Sequence, residues 1–255
     1  IDILYVLDNS GSMDYIMYDE NWHRIGTRRK VAQDAITALE DDLKEIAYPD
    51  GNEEPAALDI EHSLILFESS AEVETQWKPI TNKLDLPYRS KGGTNYDSAI
   101  NAAIRQMGNQ DPDRADAIKV VIFISDGDPD PGHYDGYDEI EKLDLGENGY
   151  FYAIGVSNDV SDATLNGLIT HAEHVKAENK RYVIAQNSTD LTSAFEGLVD
   201  EILSADVSNV TITDTLSQYA QLTENATFTV NVEGADGVTI SPSSFSIALA
   251  MDRAS

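Results

Sequence analysis

The chain has 255 residues, 41% of them hydrophobic, enough to bury a core and too many for wholesale disorder. Its 46 acidic and 17 basic residues leave a formal net charge of −29, a field that repels nucleic acid, whose binding needs clustered Lys and Arg; the one compact basic run, Arg28-Arg29-Lys30, is too small to reverse it. There is no cysteine, so disulfides, thiol catalysis and thiolate metal sites are excluded, and no apolar run approaches the ~20 residues that cross a bilayer, so membrane insertion is not expected.

The chain opens on a short apolar run at residues 3–7, read as a buried strand. Residue 1 already sits inside the wider strand-like stretch from Ile1 to Leu7, so the chain reads as an excised fragment whose targeting signals lie elsewhere. The run stops at Asp8-Asn9-Ser10-Gly11-Ser12, which is loop chemistry. From about Thr27 to Ile46, apolar residues at Val31, Ala35, Ile36, Leu39 and Leu43 recur at helical spacing. Residues 58–67 form the next strand, and the alternating 71–77 segment pairs with it as a hairpin.

Gly92-Gly93 punctuates the chain before a helix over 96–107. The clearest strand is 118–124, and it too ends in an acidic turn, Ser125-Asp126-Gly127-Asp128. A strand at 150–156, a helix at 161–170, a strand at 181–185 and a helix at 189–203 come next. Strands alternating with helices predict an α/β fold, a doubly wound, mainly parallel sheet flanked by helices, over residues 1–203. After Ser204 the pattern changes to short strands at 207–213, 226–233, 238–240 and 245–250, with no helix between them. Residues 204–255 therefore read as a small all-β segment, part of an incomplete β-sandwich module, since about 50 residues are few for an independent β domain.

Ligands of open α/β sheets bind beyond the carboxyl ends of the strands, where the strand order switches. Two acidic turns stand at such ends, Asp8 to Ser12 and Asp126, and the loop Gly92-Gly93-Thr94-Asn95 precedes a helix. Together they offer carboxylates from Asp8 and Asp126 and hydroxyls from Ser10, Ser12 and Thr94. Hard oxygens of this kind select Mg2+, Mn2+ or Ca2+ over zinc. The alternation of Asp8, Ser10 and Ser12 is expected to place their side chains on one side of an extended turn. Two carboxylates leave a bound dication neutral, with room for an incoming acidic group. The same residue types also serve as ordinary turns and helix caps, so only their combination carries weight.

Asp8-x-Ser10-x-Ser12, Thr94 after Gly92-Gly93, and Asp126 in Ser125-Asp126-Gly127 resemble the metal-ion-dependent adhesion site of the von Willebrand factor type A domain. All five positions stand in the expected order, and the resemblance covers residues 1–203. It implies one divalent cation, Mg2+ foremost with Mn2+ and Ca2+ as alternatives. It also implies hydroxyls that bind the metal directly, aspartates that act directly or through water, and a coordination position left for a ligand's carboxylate.

The segment Val210-Thr211-Ile212-Thr213-Asp214-Thr215-Leu216-Ser217-Gln218-Tyr219 resembles the stretch after the type A domain in Gram-positive surface adhesins and pilus-tip pilins. That resemblance implies an extracellular, cell-wall-linked adhesin. Its partners would be a host or matrix protein presenting a carboxylate and other pilus or cell-wall subunits. The alternative is an intracellular type A scaffold of a chaperone or metal-insertion complex. A hydrolase is the third reading, disfavoured because no histidine falls inside the motifs to act as a base; no catalytic residue is assigned.

Other motifs carry less. The run from Asp126 to Gly132 opens like a calcium loop, but Pro131 and Tyr137 stand where an EF-hand needs Gly and Glu. A looser calcium site on Asp128, Asp130, Asp135 or Asp138 remains an expectation. His171 and His174 lack a third ligand and read as surface or capping residues. Asn187, Asn209 and Asn225 head glycosylation sequons, relevant only in a eukaryotic secretory setting. The helix at 189–203 runs straight into the β segment and is a candidate for coupling the metal site to it.

Overall fold

Strand β1 (Asp2–Asp8) is buried along its whole length, and its side chains divide by parity. Ile3, Tyr5 and Leu7 join one apolar cluster, Leu4 and Val6 the other. A strand covered on both faces reads as a continuous apolar run, because each face has its own core to fill. Strands β4 (Glu61–Phe67), β6 (Lys119–Ser125) and β7 (Tyr150–Val156) are likewise buried beyond a half-buried first residue. A computed structural model describes residues 1–198 apart from 20, 49–57, 88–91, 132–133, 158, 188 and 196.

Six strands form the sheet in the order β5-β4-β1-β6-β7-β8, with β5 (Ala71–Pro79) and β8 (Lys180–Ala185) at the edges. All neighbours run parallel except β5, which folds back antiparallel on β4 as the hairpin expected from sequence. Helix α1 (Arg28–Ala47) packs Ile36, Leu39 and Leu43 on one face, joined there by Leu191, Phe195 and Leu198. Helices α2 (Tyr96–Met107), α3 (Tyr137–Ile140) and α4 (Asp162–His171) cover the other with Ile100, Ile140 and Leu165. This is the doubly wound α/β arrangement expected, with helices on both faces of a mostly parallel sheet.

Helix starts depend on side-chain capping. Thr27, Asn95 and Ser161 accept from the backbone N–H of Lys30, Ser98 and Thr164, respectively, satisfying donors that lack a partner in the first turn. A polar triad crosses the α1 face. Tyr5 donates its hydroxyl to Glu40 at 2.7 Å, and the other Glu40 oxygen meets His62 Nδ1. His62 Nε2 lies 2.8 Å from the Asn82 carbonyl.

Two elements were not foreseen. A hairpin of β2 (Ile16–Tyr18) and β3 (Arg24–Thr27) stands between the first acidic turn and α1, and α3 is a single turn. Strand β4 starts at Glu61 rather than residue 58. The helix expected at 189–203 is seen over 189–195 and 197–198. The expected β segment at 204–255, with its motif at Val210, lies outside the described residues, as does the junction invoked for coupling. Among the described residues no helix is long and apolar enough to cross a membrane.

Candidate metal centre

The chain leaves β1 for α1 and returns through β4 on one side, then crosses to β6 on the other. The strand order therefore reverses between β1 and β6, and their carboxyl ends form the crevice where such sheets bind ligands. The register pairs Leu7 with Ile124, so Asp8 and Ser125 emerge side by side.

Four of the five predicted residues meet there through their side chains. Asp8 and Asp126 are both fully buried. Ser12 Oγ donates to Asp126 Oδ1 at 2.8 Å and lies 3.0 Å from Ser10 Oγ. Asp8 accepts the Ser10 N–H at 2.7 Å on one oxygen and the Ser125 hydroxyl at 2.6 Å on the other. The turn is not extended throughout as expected. Ser10 is extended, but Gly11–Asp14 is a 3-10 turn, and this tighter path brings the two serine hydroxyls together.

The fifth residue, Thr94, is buried and arrives on a loop joined to the first turn through the backbone, where Gly11 N–H faces the Gly92 carbonyl at 3.4 Å. Gly92 has φ +73°, a conformation that disfavours side chains. The Thr94 N–H donates to Asp130 Oδ2 at 3.1 Å, and Asp130 N–H returns a bond to the Thr94 carbonyl at 2.9 Å. A Cβ on Gly93 would lie 1.7 Å from that Asp130 oxygen. Gly93→Ala must therefore expel the carboxylate and free the Thr94 loop, with an expected loss of about 1–2 kcal/mol in urea unfolding. Gly127→Ala, whose Cβ meets nothing within 4 Å, is the control. Equal midpoints for the two variants would refute this account of the loop.

Below the crevice Tyr96 packs edge-on to Phe67 and Phe123 and donates its hydroxyl to the Gly127 carbonyl at 2.8 Å, fixing the second acidic turn on an apolar floor. Burial, and next the charge of Asp126, push the Asp8 carboxyl from 3.8 up to about 7 against the opposing bonds from Ser125 and Ser10. Two buried carboxylates raise each other's free energy unless positive charge is supplied. The donor set is all hard oxygen, so it fits a divalent cation of the Mg2+, Mn2+ or Ca2+ type. Asp8, Ser10, Ser12, Thr94 and Asp126 are the residues that could hold it.

Sequence reasoning missed three contributors. Ser125 orients Asp8. Arg29 is buried and reaches Asn9, Asp14 and the Ser10 carbonyl, bracing the first turn. Arg28 donates Nη1 to Asp126 Oδ2 at 2.9 Å and Nη2 to Asp159. The basic run judged too small to reverse the acidic field thus serves the site. Its signal was available: two arginines open a helix with no acid in its first turn, against the helix dipole, a placement favourable only when carboxylates lie nearby.

The acids proposed for a looser calcium site are dispersed. Asp128 accepts from Ser161 N–H, Asp130 from Thr94 N–H and Asp135 from Tyr137 N–H, while Asp138 is exposed. Among the described residues no group of three or more His, Cys, Asp or Glu could hold a metal; the predicted centre has two acids and relies on hydroxyls. His171 bonds the Gly167 carbonyl and stacks on Tyr137, a helix-end role.

A family model described as von Willebrand factor type A domain matches residues 2–197. No curated protein matches the chain. Among solved structures, the PilB minor pilin from Streptococcus sanguinis is similar, with TM-score 0.59 and 17% identity over 82% of this chain and 63% of that one. The chain thus spans less than two thirds of that pilin. The conserved hypothetical protein BatB from Bacteroides thetaiotaomicron is similar with TM-score 0.54 and 17% identity, over 82% of this chain and 100% of that one. Proximal thread matrix protein 1 from the mussel byssus gives TM-score 0.54 and 19% identity, over 80% and 46%. At these identities the likeness is one of fold.

Proposed function

This chain belongs to the von Willebrand factor type A domain family, and from that premise we propose that it is a metal-dependent adhesion domain that grips a carboxylate on a partner protein. The observation carrying the proposal is the convergence of Asp8, Asp126, Ser10 and Ser12 at the switch point between β1 and β6, both carboxylates fully buried. Thr94 completes the set from the neighbouring loop. A bound dication supplies a Lewis-acid position for the partner's carboxylate. The chain's own side chains hold and orient that ion. Ser125 and Arg29 fix the first turn, Tyr96 fixes the second, and the aromatic floor keeps water from beneath.

The role is binding rather than catalysis. The donors surround a carboxylate-binding position and leave no histidine among them to move a proton. The setting proposed is a bacterial surface or pilus-tip protein, extracellular or cell-wall-linked, with a host or matrix protein as partner and other pilus subunits as neighbours. Support comes from the resemblance carried by residues 210–219, and from a fold shared with a streptococcal minor pilin.

The test is binding to immobilised matrix proteins in Mg2+ or Mn2+, repeated in EDTA and with the partner's carboxyl groups amidated. Both treatments are expected to abolish binding. A partner retained equally well after either one would overturn the proposal.

A further inference from the structure

Arg28 places a fixed positive charge against a metal-holding carboxylate. As the first residue of α1, its guanidinium is 11% exposed and bonds Asp126 Oδ2 at 2.9 Å. The other Asp126 oxygen accepts from Ser12. The guanidinium is held on its far side by Asp159, which is 60% exposed, and it lies 5.3 Å from the centre of the Tyr15 ring. Its backbone N–H donates to the Tyr15 carbonyl at 2.9 Å. Asp159 is placed by Ser157, a non-glycine residue at φ +113°, whose hydroxyl donates to the Asp126 carbonyl and accepts from Asp159 N–H, both at 3.2 Å. A strained residue locked into two hydrogen bonds beside a site marks a position the fold holds for a purpose.

We propose that Arg28 is the resident counter-cation of the Asp8–Asp126 centre, and that its bridge between Asp126 and Asp159 sets the centre's affinity for a divalent cation. The inference rests on the metal-binding reading above. Without metal, Arg28 offsets one of two buried carboxylates and lets the crevice form. With metal, the same charge would repel the ion that Asp126 helps to hold, while Asp159 would partly offset Arg28. The site is thereby held to weaker binding than its oxygen donors alone would give. Arg28 acts through Asp126 and is a positioning residue, not a ligand.

Mn2+ is titrated calorimetrically into EDTA-stripped, dialysed protein, and thermal midpoints are recorded in EDTA. Arg28→Gln is expected to tighten Mn2+ on the order of tenfold while lowering the EDTA midpoint, since the repelling charge and the offset are the same group. Arg28→Lys keeps the charge and stays within about threefold of wild type, whereas Asp159→Asn weakens Mn2+ by about two- to fivefold. Opposite shifts from Arg28→Gln and Asp159→Asn would not arise from simple loosening of the loop. Unchanged or weaker Mn2+ binding by Arg28→Gln, or an Arg28→Lys that behaves like it, overturns the inference. Should Arg28→Gln fail to fold, unweakened binding by Asp159→Asn overturns it instead. A wild-type chain that binds no Mn2+ removes the metal reading and this inference together. A wild-type chain that binds Mn2+ but is insensitive to these changes removes only the role of Arg28.

Discussion

Millimolar Mg2+ or Mn2+ is expected to raise the thermal midpoint of this domain by about 5–10 °C, and Asp126→Ala to abolish the increase. The size comes from linkage: an ion present at a hundred times its dissociation constant stabilises the folded state by about 2.7 kcal/mol, and a domain of this length gains roughly 2–4 °C per kcal/mol. The readout has to be the metal-induced difference. Removing Asp126 also relieves the repulsion on Asp8 and leaves the Ser12 hydroxyl and one arm of Arg28 without an acceptor. The midpoint of the metal-free variant therefore moves for reasons unconnected with the ion. Scanning calorimetry of wild type and variant, each in EDTA and in Mn2+, separates the two effects. A metal-induced increase of the same size in Asp126→Ala would show that the ion binds elsewhere.

The site was legible because its chemistry is carried by strand ends. Each acidic turn comes after an apolar run long enough to be a buried strand, and a parallel strand delivers the residues beyond it to the same edge of the sheet. Asp8 and Asp126 could therefore be placed together without coordinates. The alternation of strand and helix pointed to the mainly parallel sheet that carries both ends.

The features that stayed hidden have different causes. The β2–β3 hairpin lies in residues whose strands are only three and four long, too short for a period to emerge. Its turn is instead held by Asp19, whose carboxylate accepts from the backbone N–H groups of Asn21 and His23, a polar device with no hydrophobic signature. Arg28 and Arg29 were misjudged because their charge was weighed against the whole chain. Electrostatics inside a low-dielectric crevice depends on neighbours within a few ångströms, and for Arg28 those neighbours, Asp126 and Asp159, lie far away in sequence. Ser125 was read as part of a turn, and only the pairing of β1 with β6 shows that its hydroxyl faces Asp8.

Metal-free protein is expected to lose stability as the pH rises from about 4 to 7, by on the order of 4 kcal/mol, and Asp8→Asn to remove that loss. The folded-state carboxyl of Asp8 is raised from 3.8 to about 7, by burial first and by the charge of Asp126 second. The folded chain therefore holds this proton over a range in which the unfolded chain has released it. Stability falls with pH wherever the folded state carries more bound protons, so the contribution is complete below about pH 4 and is lost as the pH climbs through about 7. A carboxyl raised by this much corresponds to about 4 kcal/mol. Other carboxylates, among them Glu61, raised chiefly by its burial, add their own dependence on pH. They are common to both proteins and cancel in the difference between wild type and Asp8→Asn. In saturating Mn2+ this loss is suppressed, because the ion holds Asp8 ionised in the folded chain and the metal-induced increment grows as the proton leaves. The wild-type curves in EDTA and in Mn2+ therefore diverge between about pH 5 and 7.5, where urea unfolding can track both. Parallel EDTA curves for wild type and Asp8→Asn across that window would mean that Asp8 stays ionised in the folded crevice without a metal, its charge already met by Arg28 and the surrounding hydrogen bonds.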